Sequence, residues 1–278
     1  DKVGLPTYSV FDDGRNFTPG QMPGPVMVRG WRLGLPICED IWSTDVVECL
    51  AESGAEMIVS INGSPFEIGK RDKRISNAVA RVTESGLPLI YVALVGGQDE
   101  VVYDGASFAL NADGSLAAHL PSFSEAVTTL QMQEDFGALT LTGAMAPPDE
   151  GMGEIWRALM LGLRDYVNKN GFPGVVLGLS GGIDSAIVAA LAVDALGPNA
   201  VHAVMMPSAY TSKTSLDDAT ALAKNLRIRL DDISIIPGIT ALADMLTDQF
   251  EGSGSGVAEE NIQSRLRGLV LMAISNKQ

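Results

Sequence analysis

Residues 180–185, which read SGGIDS, are the part of this sequence whose residue types and spacing point most directly to chemistry. The apolar run 175–179 before them predicts a strand, and the run 186–196 (AIVAALAVDAL) predicts a helix. A glycine-rich turn from a strand into a helix leaves backbone N–H groups free, and the helix dipole favours an anion beside them. The segment therefore predicts a site for phosphate oxygens.

Each fixed position of this segment suits such a site. Gly181 and Gly182 allow close backbone approach, while Ser180 and Ser185 add hydroxyl donors. Asp184 is unfavourable beside a phosphate unless a cation lies between them, so we interpret it as a Mg²⁺ ligand. The alternative is a tight strand-to-helix turn capped by a serine, which would not require every fixed position to match.

A second candidate is Cys38, which follows a predicted buried strand at 28–36 and precedes a predicted helix at 45–53. Nucleophiles often occupy such a turn at the end of a strand. The competing interpretation is strong, because free cysteine commonly acts as a small buried hydrophobe. We keep that interpretation for Cys49, which lies in the middle of the predicted helix with no motif around it.

Composition limits the classes of function. The 278 residues are enough for two domains, and a net charge of −15 argues against nucleic acid as a partner. No apolar run reaches transmembrane length, so no membrane association is expected. Two cysteines provide no disulfide framework, which favours a cytoplasmic location.

Alternating predicted strands and helices indicate an α/β fold in both halves of the chain. Residues 142–153 contain two prolines and three glycines, so we expect a linker there, between domains at 1–141 and 154–278. Further strands are predicted at 56–61, 87–95, 201–206 and 233–236, a hairpin at 107–112 and 115–120, helices at 69–84, 154–168, 216–226 and 258–277, and a flexible connection at 251–256. The repeats in the second half predict a doubly wound parallel sheet.

Several motifs resemble known families. SGGIDS resembles the pyrophosphate loop of the N-type ATP pyrophosphatases, and CEDIW at 38–42 resembles the nucleophile segment of nitrilase-type glutaminase domains. Further matches in the same order lie at 2–13, 62–66, 95–100, 103–105, 206–212, 215–219 and 259–268. Their combination on one chain resembles the glutamine-dependent NAD⁺ synthetases.

This resemblance implies a fold and an activity. The fold would be part of a nitrilase-like layered α/β domain, followed by a Rossmann-like domain of the adenine nucleotide α-hydrolase type. The activity would be amidation of nicotinic acid adenine dinucleotide (deamido-NAD⁺) to NAD⁺ through an adenylate, with ATP and Mg²⁺, and with ammonia released from glutamine. We also expect a homo-oligomer in which the helix at 258–277 lies partly at an interface.

The resemblance also implies roles for single residues. The expected catalytic residues are Cys38 and Lys2, and glutamine would bind at Tyr8, Glu39 and Ser64. ATP would bind at Ser180, Gly181, Gly182, Asp184 and Ser185, with the metal at Asp184. The deamido-NAD⁺ substrate would bind at Asn261, Arg265 and Arg267. Lys2 would stabilise the oxyanion and the Cys38 thiolate. The family's general base is a glutamate upstream of this lysine, a position that the 278 residues do not include, so the resemblance does not assign the complete glutaminase activity to these residues alone.

Three positions depart from the family pattern. Thr7 replaces a common asparagine, Asp13 a common glutamate, and Ala209 a common basic residue. The shorter side chain at Asp13 would shift a supporting carboxylate by one methylene, and Ala209 removes one phosphate contact.

Two other functions remain open from the sequence. One is another SGGxDS amidotransferase, such as a GMP synthetase type, although CEDIW and the segment at 206–212 argue against it. The other is a non-catalytic binding or assembly protein that retains the fold.

Overall fold

The structure is a computed structural model that describes residues 1–8, 10–135, 137–250 and 256–277. The chain forms two compact units, Asp1–Gly162 and Leu163–Gln278, and the division falls inside one helix, Gly151–Lys169. The predicted linker at 142–153 lies before this division, and its last residues already belong to that helix. Among the described residues, no helix is both long enough and apolar enough to cross a bilayer.

The first unit is built on a mixed six-stranded sheet with the order β1-β2-β3-β4-β7-β8. Its elements are α1 (Asp13–Asn16), β1 (Val26–Val28), β2 (Trp31–Gly34), a 3₁₀ turn (Cys38–Ile41), α2 (Asp45–Glu52), β3 (Met57–Asn62), α3 (Lys70–Ser85), β4 (Leu89–Ala93), β5 (Val95–Gln98), β6 (Val101–Asp104), β7 (Phe108–Leu110), β8 (Leu116–His119), β9 (Gln131–Asp135) and β10 (Ala138–Thr142). The strands β2, β3 and β4 are parallel, and the others pair antiparallel.

The core of this unit lies between the sheet and the helices α2 and α3. Ile58, Leu89 and Leu50 are fully buried there, and Tyr91 stacks on Phe108 with ring centroids 4.8 Å apart. Parallel strands that are buried by helices need apolar residues at successive positions, as MIVSIN in β3 and LIYVA in β4 provide. The carboxyl ends of β2 and β3 therefore hold the loops that follow them on a rigid base.

Several regions of this unit differ from the predictions, and two of them change the sheet described above. The single strand predicted at 28–36 is two strands, because Arg29 and Gly30 adopt positive φ and turn the chain between them. Residues 131–135 and 138–142, where no strand was predicted, form the hairpin β9–β10. Leu141 of this hairpin is buried against Ala109 and Ala118, on the face of the sheet away from α2 and α3.

The second unit is a three-stranded parallel sheet with the order β11-β12-β13. After α4 (Gly151–Lys169) come β11 (Val175–Gly178), α5 (Ile183–Leu196), a 3₁₀ turn (Pro198–Ala200), β12 (Val201–Met205), α6 (Lys213–Leu226), β13 (Arg229–Asp232), α7 (Ile236–Met245), α8 (Thr247–Phe250) and α9 (Val257–Ser275). Successive residues of β12 face opposite cores: Ala203 packs with α5 and α6, and Val204 with α7 and α9. Helices on both faces confirm the predicted doubly wound sheet.

Several boundaries in this unit differ from the predictions, and the third strand and the start of α5 are two of them. The third strand is Arg229–Asp232 rather than 233–236, because β13 is an edge strand that needs little apolar surface, while Ile235 is buried in the loop beyond it. The helix α5 begins at Ile183, so Asp184 lies in its first turn. Residues 251–255 of the predicted flexible connection lie outside the described residues.

Candidate functional site

Cys38 begins the 3₁₀ turn that follows β2, and its backbone is strained. Its φ is +50°, in the left-handed region that residues with a β-carbon rarely adopt. Such a conformation costs free energy and persists only where the surroundings hold it. The chain enters the turn through Ile37, which forms a parallel bridge with Ile61 at the end of β3.

The buried carboxylate of Asp40 is what holds this turn. Its Oδ2 accepts the Ile37 N–H at 2.9 Å, and its Oδ1 accepts the N–H groups of Val3 at 3.0 Å and Gly4 at 2.6 Å. Asp40 is only 1 % exposed, so no water competes for these bonds. The residue therefore joins the segment that carries Lys2 to the turn that carries Cys38. The sequence analysis did not identify it, although its place two residues after Cys38 was a usable signal.

Lys2 is held by the neighbouring Asp13. The Lys2 ammonium lies 2.5 Å from the Asp13 carboxylate, and both side chains are mostly buried. The shorter side chain at position 13, noted as a departure from the family pattern, therefore still reaches the lysine.

The pKa of the Cys38 thiol is raised above its ordinary value. Burial is the main cause, and it outweighs the lowering effects of a hydrogen bond from the Gly63 N–H and of the Lys2 charge. A raised pKa means that the thiol is mainly protonated at neutral pH. The sequence-based expectation of a thiolate stabilised by Lys2 therefore describes only part of the electrostatics, because attack by this sulfur needs a base to remove its proton.

Tyr8 and Glu39 lie together beside Cys38. The Tyr8 hydroxyl is 2.9 Å from each carboxylate oxygen of Glu39, the residue that follows Cys38. Burial, followed by the hydrogen bond and charge of Glu39, raises the pKa of Tyr8 to about 12. Tyr8 therefore remains a hydroxyl donor throughout the neutral range. Ser64, the third residue predicted to bind glutamine, is buried in the loop after β3.

Two charged residues near this group were missed by the sequence analysis. Lys70, at the start of α3, lies 2.6 Å from Glu67, and the Lys70 side chain is only 12 % exposed. Lys70 lowers the pKa of Glu67, and the Glu67 charge in turn acts on Tyr8. The only available signal was the basic run KRDKR at 70–74, which is also typical of a solvated helix face.

We expect Asp40→Asn to lower the free energy of unfolding and to slow alkylation of Cys38 by iodoacetamide. The amide places its N–H₂ where one of the backbone N–H groups now donates, which leaves buried donors unpaired at a cost of about 1–3 kcal/mol. Urea unfolding and the alkylation rate measure the two effects. Asp45→Asn on the exposed start of α2 is the control, and equal behaviour of the two variants would contradict the assigned role of Asp40.

The SGGIDS loop of the second unit is closed by its own serines. Ser180 Oγ accepts the Gly182 N–H at 3.2 Å and lies 3.0 Å from Ser185 Oγ, which also bonds the Gly182 carbonyl at 3.0 Å. Gly181 has a φ of +83°, and a β-carbon on it would lie 2.2 Å from the Ser215 carbonyl oxygen. Only glycine fits there, since both the backbone conformation and the close approach of α6 exclude a side chain.

A cavity of about 540 Å³ opens beside this loop. It lies at the carboxyl ends of β11 and β12, where doubly wound sheets bind ligands. Its lining includes Gly178, Ser180, Met206, Thr211, Ser264, Arg267 and Leu271. The cavity therefore has hydroxyl groups and one guanidinium on otherwise largely apolar walls.

The three residues predicted to bind the dinucleotide do not lie together. Arg267 lines the cavity, and its Nε donates to the Met206 carbonyl at 3.4 Å. Asn261 and Arg265 are exposed and bond to each other at 3.2 Å, away from the cavity lining.

Asp184 is exposed in the first turn of α5, and within the described ranges no group of three or more His, Cys, Asp or Glu side chains is arranged to hold a metal ion.

Comparisons with known proteins match the two halves of the chain to two different families. Residues 9–140 match the family model for carbon-nitrogen hydrolases, and residues 155–278 match the model for NAD synthases. These matches confirm the predicted nitrilase-like first domain and the synthetase type of the second.

Individual relatives match both halves at once. A glutamine-dependent NAD(+) synthetase of Rhodobacter capsulatus is 50% identical over 276 residues, which cover 98% of this chain and 50% of that protein. One from Acinetobacter baylyi is 39% identical over 100% of this chain and 51% of that protein. The solved structure of the Acinetobacter baumannii glutamine-dependent NAD+ synthetase, in complex with ADP, aligns with a TM-score of 0.94, 39% identity, and coverage of 100% of this chain and 52% of that one. The chain spans about half the length of the curated relatives it matches.

Proposed function

The chain belongs to the glutamine-dependent NAD(+) synthetases, and we propose on that premise that its two units serve two half-reactions of one amidation. The first unit would release ammonia from glutamine, and the second would use ATP to activate deamido-NAD⁺ for attack by that ammonia. The observation that carries the proposal is that a strained cysteine turn joined to a lysine and an SGGIDS loop beside a cavity occur on one chain.

In the first half-reaction, Cys38 Sγ attacks the side-chain amide carbon of glutamine. The C–N bond breaks, ammonia leaves, and a thioester remains, which water hydrolyses to glutamate and the free thiol. Lys2 stabilises the negative charge that develops on the amide oxygen. The raised pKa of Cys38 supports a mechanism in which a base takes the thiol proton as the sulfur attacks.

The charged residues around Cys38 suit the two ends of free glutamine. Glu39 offers a carboxylate to the α-ammonium group, and Lys70 offers an ammonium to the α-carboxylate. Tyr8 fixes the Glu39 carboxylate through its hydroxyl. We propose that these charges select an amino acid over a neutral amide, because an uncharged chain end offers no opposite charge to either the Glu39 carboxylate or the Lys70 ammonium.

In the second half-reaction, the nicotinic acid carboxylate attacks the α-phosphorus of ATP, and pyrophosphate leaves toward the loop at 180–185. Ammonia then displaces AMP from the adenylate to give the amide. The backbone N–H groups and serine hydroxyls of the loop stabilise the charge on the leaving pyrophosphate. The cavity beside the loop is large enough for the adenosine part of ATP. The solved relative from Acinetobacter baumannii is a complex with ADP, which supports an adenine nucleotide as a ligand of this family.

Asp184 is the residue that we propose to hold Mg²⁺. One carboxylate fits this metal, because Mg²⁺ in nucleotide sites is usually bound by one or two carboxylates together with phosphates and water. When bound, the ion would neutralise phosphate charge during the transfer.

The dinucleotide contacts of Asn261, Arg265 and Arg267 remain predictions, and the cavity position of Arg267 supports that residue most.

A product assay with ATP, Mg²⁺ and deamido-NAD⁺, supplied with either glutamine or ammonia, tests the proposal directly. We expect NAD⁺, AMP and pyrophosphate from both nitrogen sources in the protein that contains this chain. Formation of GMP from XMP instead would favour the GMP synthetase type. If neither nitrogen source gives a product, the interpretation as a non-catalytic binding protein is favoured.

We further expect this protein to form a homo-oligomer through α9. One side of this helix packs on the sheet through Val270, Leu271 and Ile274, while Leu269 and Met272 remain 65 % and 59 % exposed. Sedimentation at micromolar concentration should give an oligomer, and Leu269→Glu should dissociate it. Gln263→Glu adds the same charge on α9 as a control, and a monomeric parent protein would refute the expectation.

The cytoplasmic location also stays a prediction.

A further inference from the structure

One face of α9 lines the cavity beside the SGGIDS loop. Its lining residues recur at intervals of three and four, which places them on the same side of the helix: they are Ser264, Arg267, Gly268 and Leu271. Each residue of a helix is turned about 100° from the one before it, so Arg265 points nearly opposite to Arg267. The helix geometry therefore separates Arg267 from the exposed pair Asn261 and Arg265.

Two contacts place Arg267 at the carboxyl edge of the sheet. Its Nε donates to the Met206 carbonyl at 3.4 Å, one residue beyond the end of β12. One turn further along α9, Leu271 packs on the last residue of β11, since a β-carbon on Gly178 would lie 3.5 Å from Leu271 Cδ1. The loop begins at Ser180, two residues after Gly178. Arg267 therefore lies beside the strand ends from which the loop starts.

The guanidinium of Arg267 keeps most of its donors for something other than the described protein. Within the described ranges it forms no ion pair, and the Met206 carbonyl accepts its one hydrogen bond, from Nε. The chain carries 34 Asp and Glu against 19 Lys and Arg, so carboxylate partners are in excess. A partly buried guanidinium that pairs with none of them has both Nη groups available to an anion in the cavity.

The loop itself calls for such a charge. Residues 180–185 contain no Lys or Arg, whereas P-loops of the Walker type carry a lysine that reaches the β and γ phosphates. Asp184 adds a negative charge to those of a triphosphate. Of the described residues that line the cavity, Arg267 is the only charged one, and Lys213 at the start of α6 does not line it.

We propose that Arg267 binds the phosphates of ATP and supplies the positive charge that the SGGIDS loop lacks. The Nη groups would donate to phosphate oxygens and stabilise the charge that grows on the leaving pyrophosphate, while Nε stays on the Met206 carbonyl. The inference rests on the proposed use of ATP by the second unit. It assigns Arg267 to ATP, whereas the family resemblance places this residue on deamido-NAD⁺.

Arg267→Gln tests the inference with little disturbance of the cavity wall. The glutamine Nε2 is attached to Cδ, as the arginine Nε is, so it can still donate to the Met206 carbonyl while the charge and the Nη groups are lost. We expect the affinity for ATP, measured by calorimetry on the protein that contains this chain, to fall roughly 10–100-fold. The affinity for adenosine, which has no phosphate, should stay at the parent value.

Kinetics with ammonia as the nitrogen source separate ATP from the dinucleotide. We expect the KM for ATP to rise in Arg267→Gln, and the KM for deamido-NAD⁺ to stay close to the parent value. A rise in the KM for deamido-NAD⁺ alone would overturn the inference and return Arg267 to the dinucleotide. Equal losses of affinity for ATP and adenosine would also overturn it, because Arg267 would then only shape the cavity.

Lys224→Gln is the control for removal of one positive charge. Lys224 is exposed near the end of α6, so this variant should keep the parent affinity for ATP, and an equal loss there would refute a specific role for Arg267. Arg267→Lys covers a fold that tolerates the neutral side chain poorly. It keeps the charge without the fork of donors, so we expect partial recovery of ATP affinity, and none would overturn the inference.

Failure of the proposed function would look different from failure of this inference. A parent protein that binds ATP but forms no NAD⁺ would refute the proposed amidation. The comparison of ATP with adenosine in Arg267→Gln could still be made on that protein, because it measures binding rather than product.

Discussion

Cys38→Ala is expected to abolish glutamine-dependent NAD⁺ formation and to keep most of the ammonia-dependent formation. No other group can form the thioester, so loss of the sulfur should lower the glutamine-dependent rate on the order of 10³-fold or more. Free ammonia can enter the synthetase site without the first half-reaction. The change should cost little stability, because removing one sulfur from a partly exposed site leaves only a small cavity.

The measurement is NAD⁺ formation with each nitrogen source, on purified variants whose unfolding midpoints match the parent. Cys49→Ala is the control and should keep both activities, since Cys49 lies in α2, where its sulfur contacts the Pro23 carbonyl at 4.0 Å. Glutamine use by Cys38→Ala at close to the parent rate would show that the interpretation of the first unit is wrong. Loss of both activities in a folded protein would show that the two reactions are not separable.

Asp184→Asn is expected to abolish NAD⁺ formation with glutamine and ammonia alike. The amide cannot replace the charge of a carboxylate that binds Mg²⁺ beside the leaving pyrophosphate, so we expect a loss of roughly 10²–10³-fold in kcat. The substitution changes no buried packing, because Asp184 is exposed in the first turn of α5.

Asp194→Asn on the same helix serves as the control for removal of one negative charge from α5. The assay should be repeated at raised Mg²⁺ concentration, where weakened metal binding would be partly recovered. Unchanged ammonia-dependent activity in Asp184→Asn would exclude the residue from the synthetase reaction.

The SGGIDS turn could be predicted from sequence because all its causes are local. A short apolar run, two glycines and an apolar helix follow one another within about twenty residues, and the structure forms β11, the loop and α5 from them. Even there the helix begins three residues earlier than predicted, since Ile183, Asp184 and Ser185 already take helical geometry.

The site around Cys38 was predicted only as a set of residues. The bonds that shape it join positions far apart in the chain, such as Asp40 with Gly4 and Arg74 with Asp104. Sequence spacing carries no signal for such pairs. An aspartate and an arginine that are buried together look, in the sequence alone, like solvated charges on a loop and a helix.

Patterns that are local in the sequence were enough to predict the two α/β units, the doubly wound order of the second, and the residue types at each candidate site. These follow from apolar periodicity, glycine positions and short motifs, which act over a few residues. Three features became visible only in the folded chain: Asp13 reaches Lys2, burial raises the pKa of Cys38, and Arg267 lines the cavity while Arg265 does not. The reason is physical: desolvation and ion pairing depend on which distant segments pack around a group, and that is settled when the chain folds.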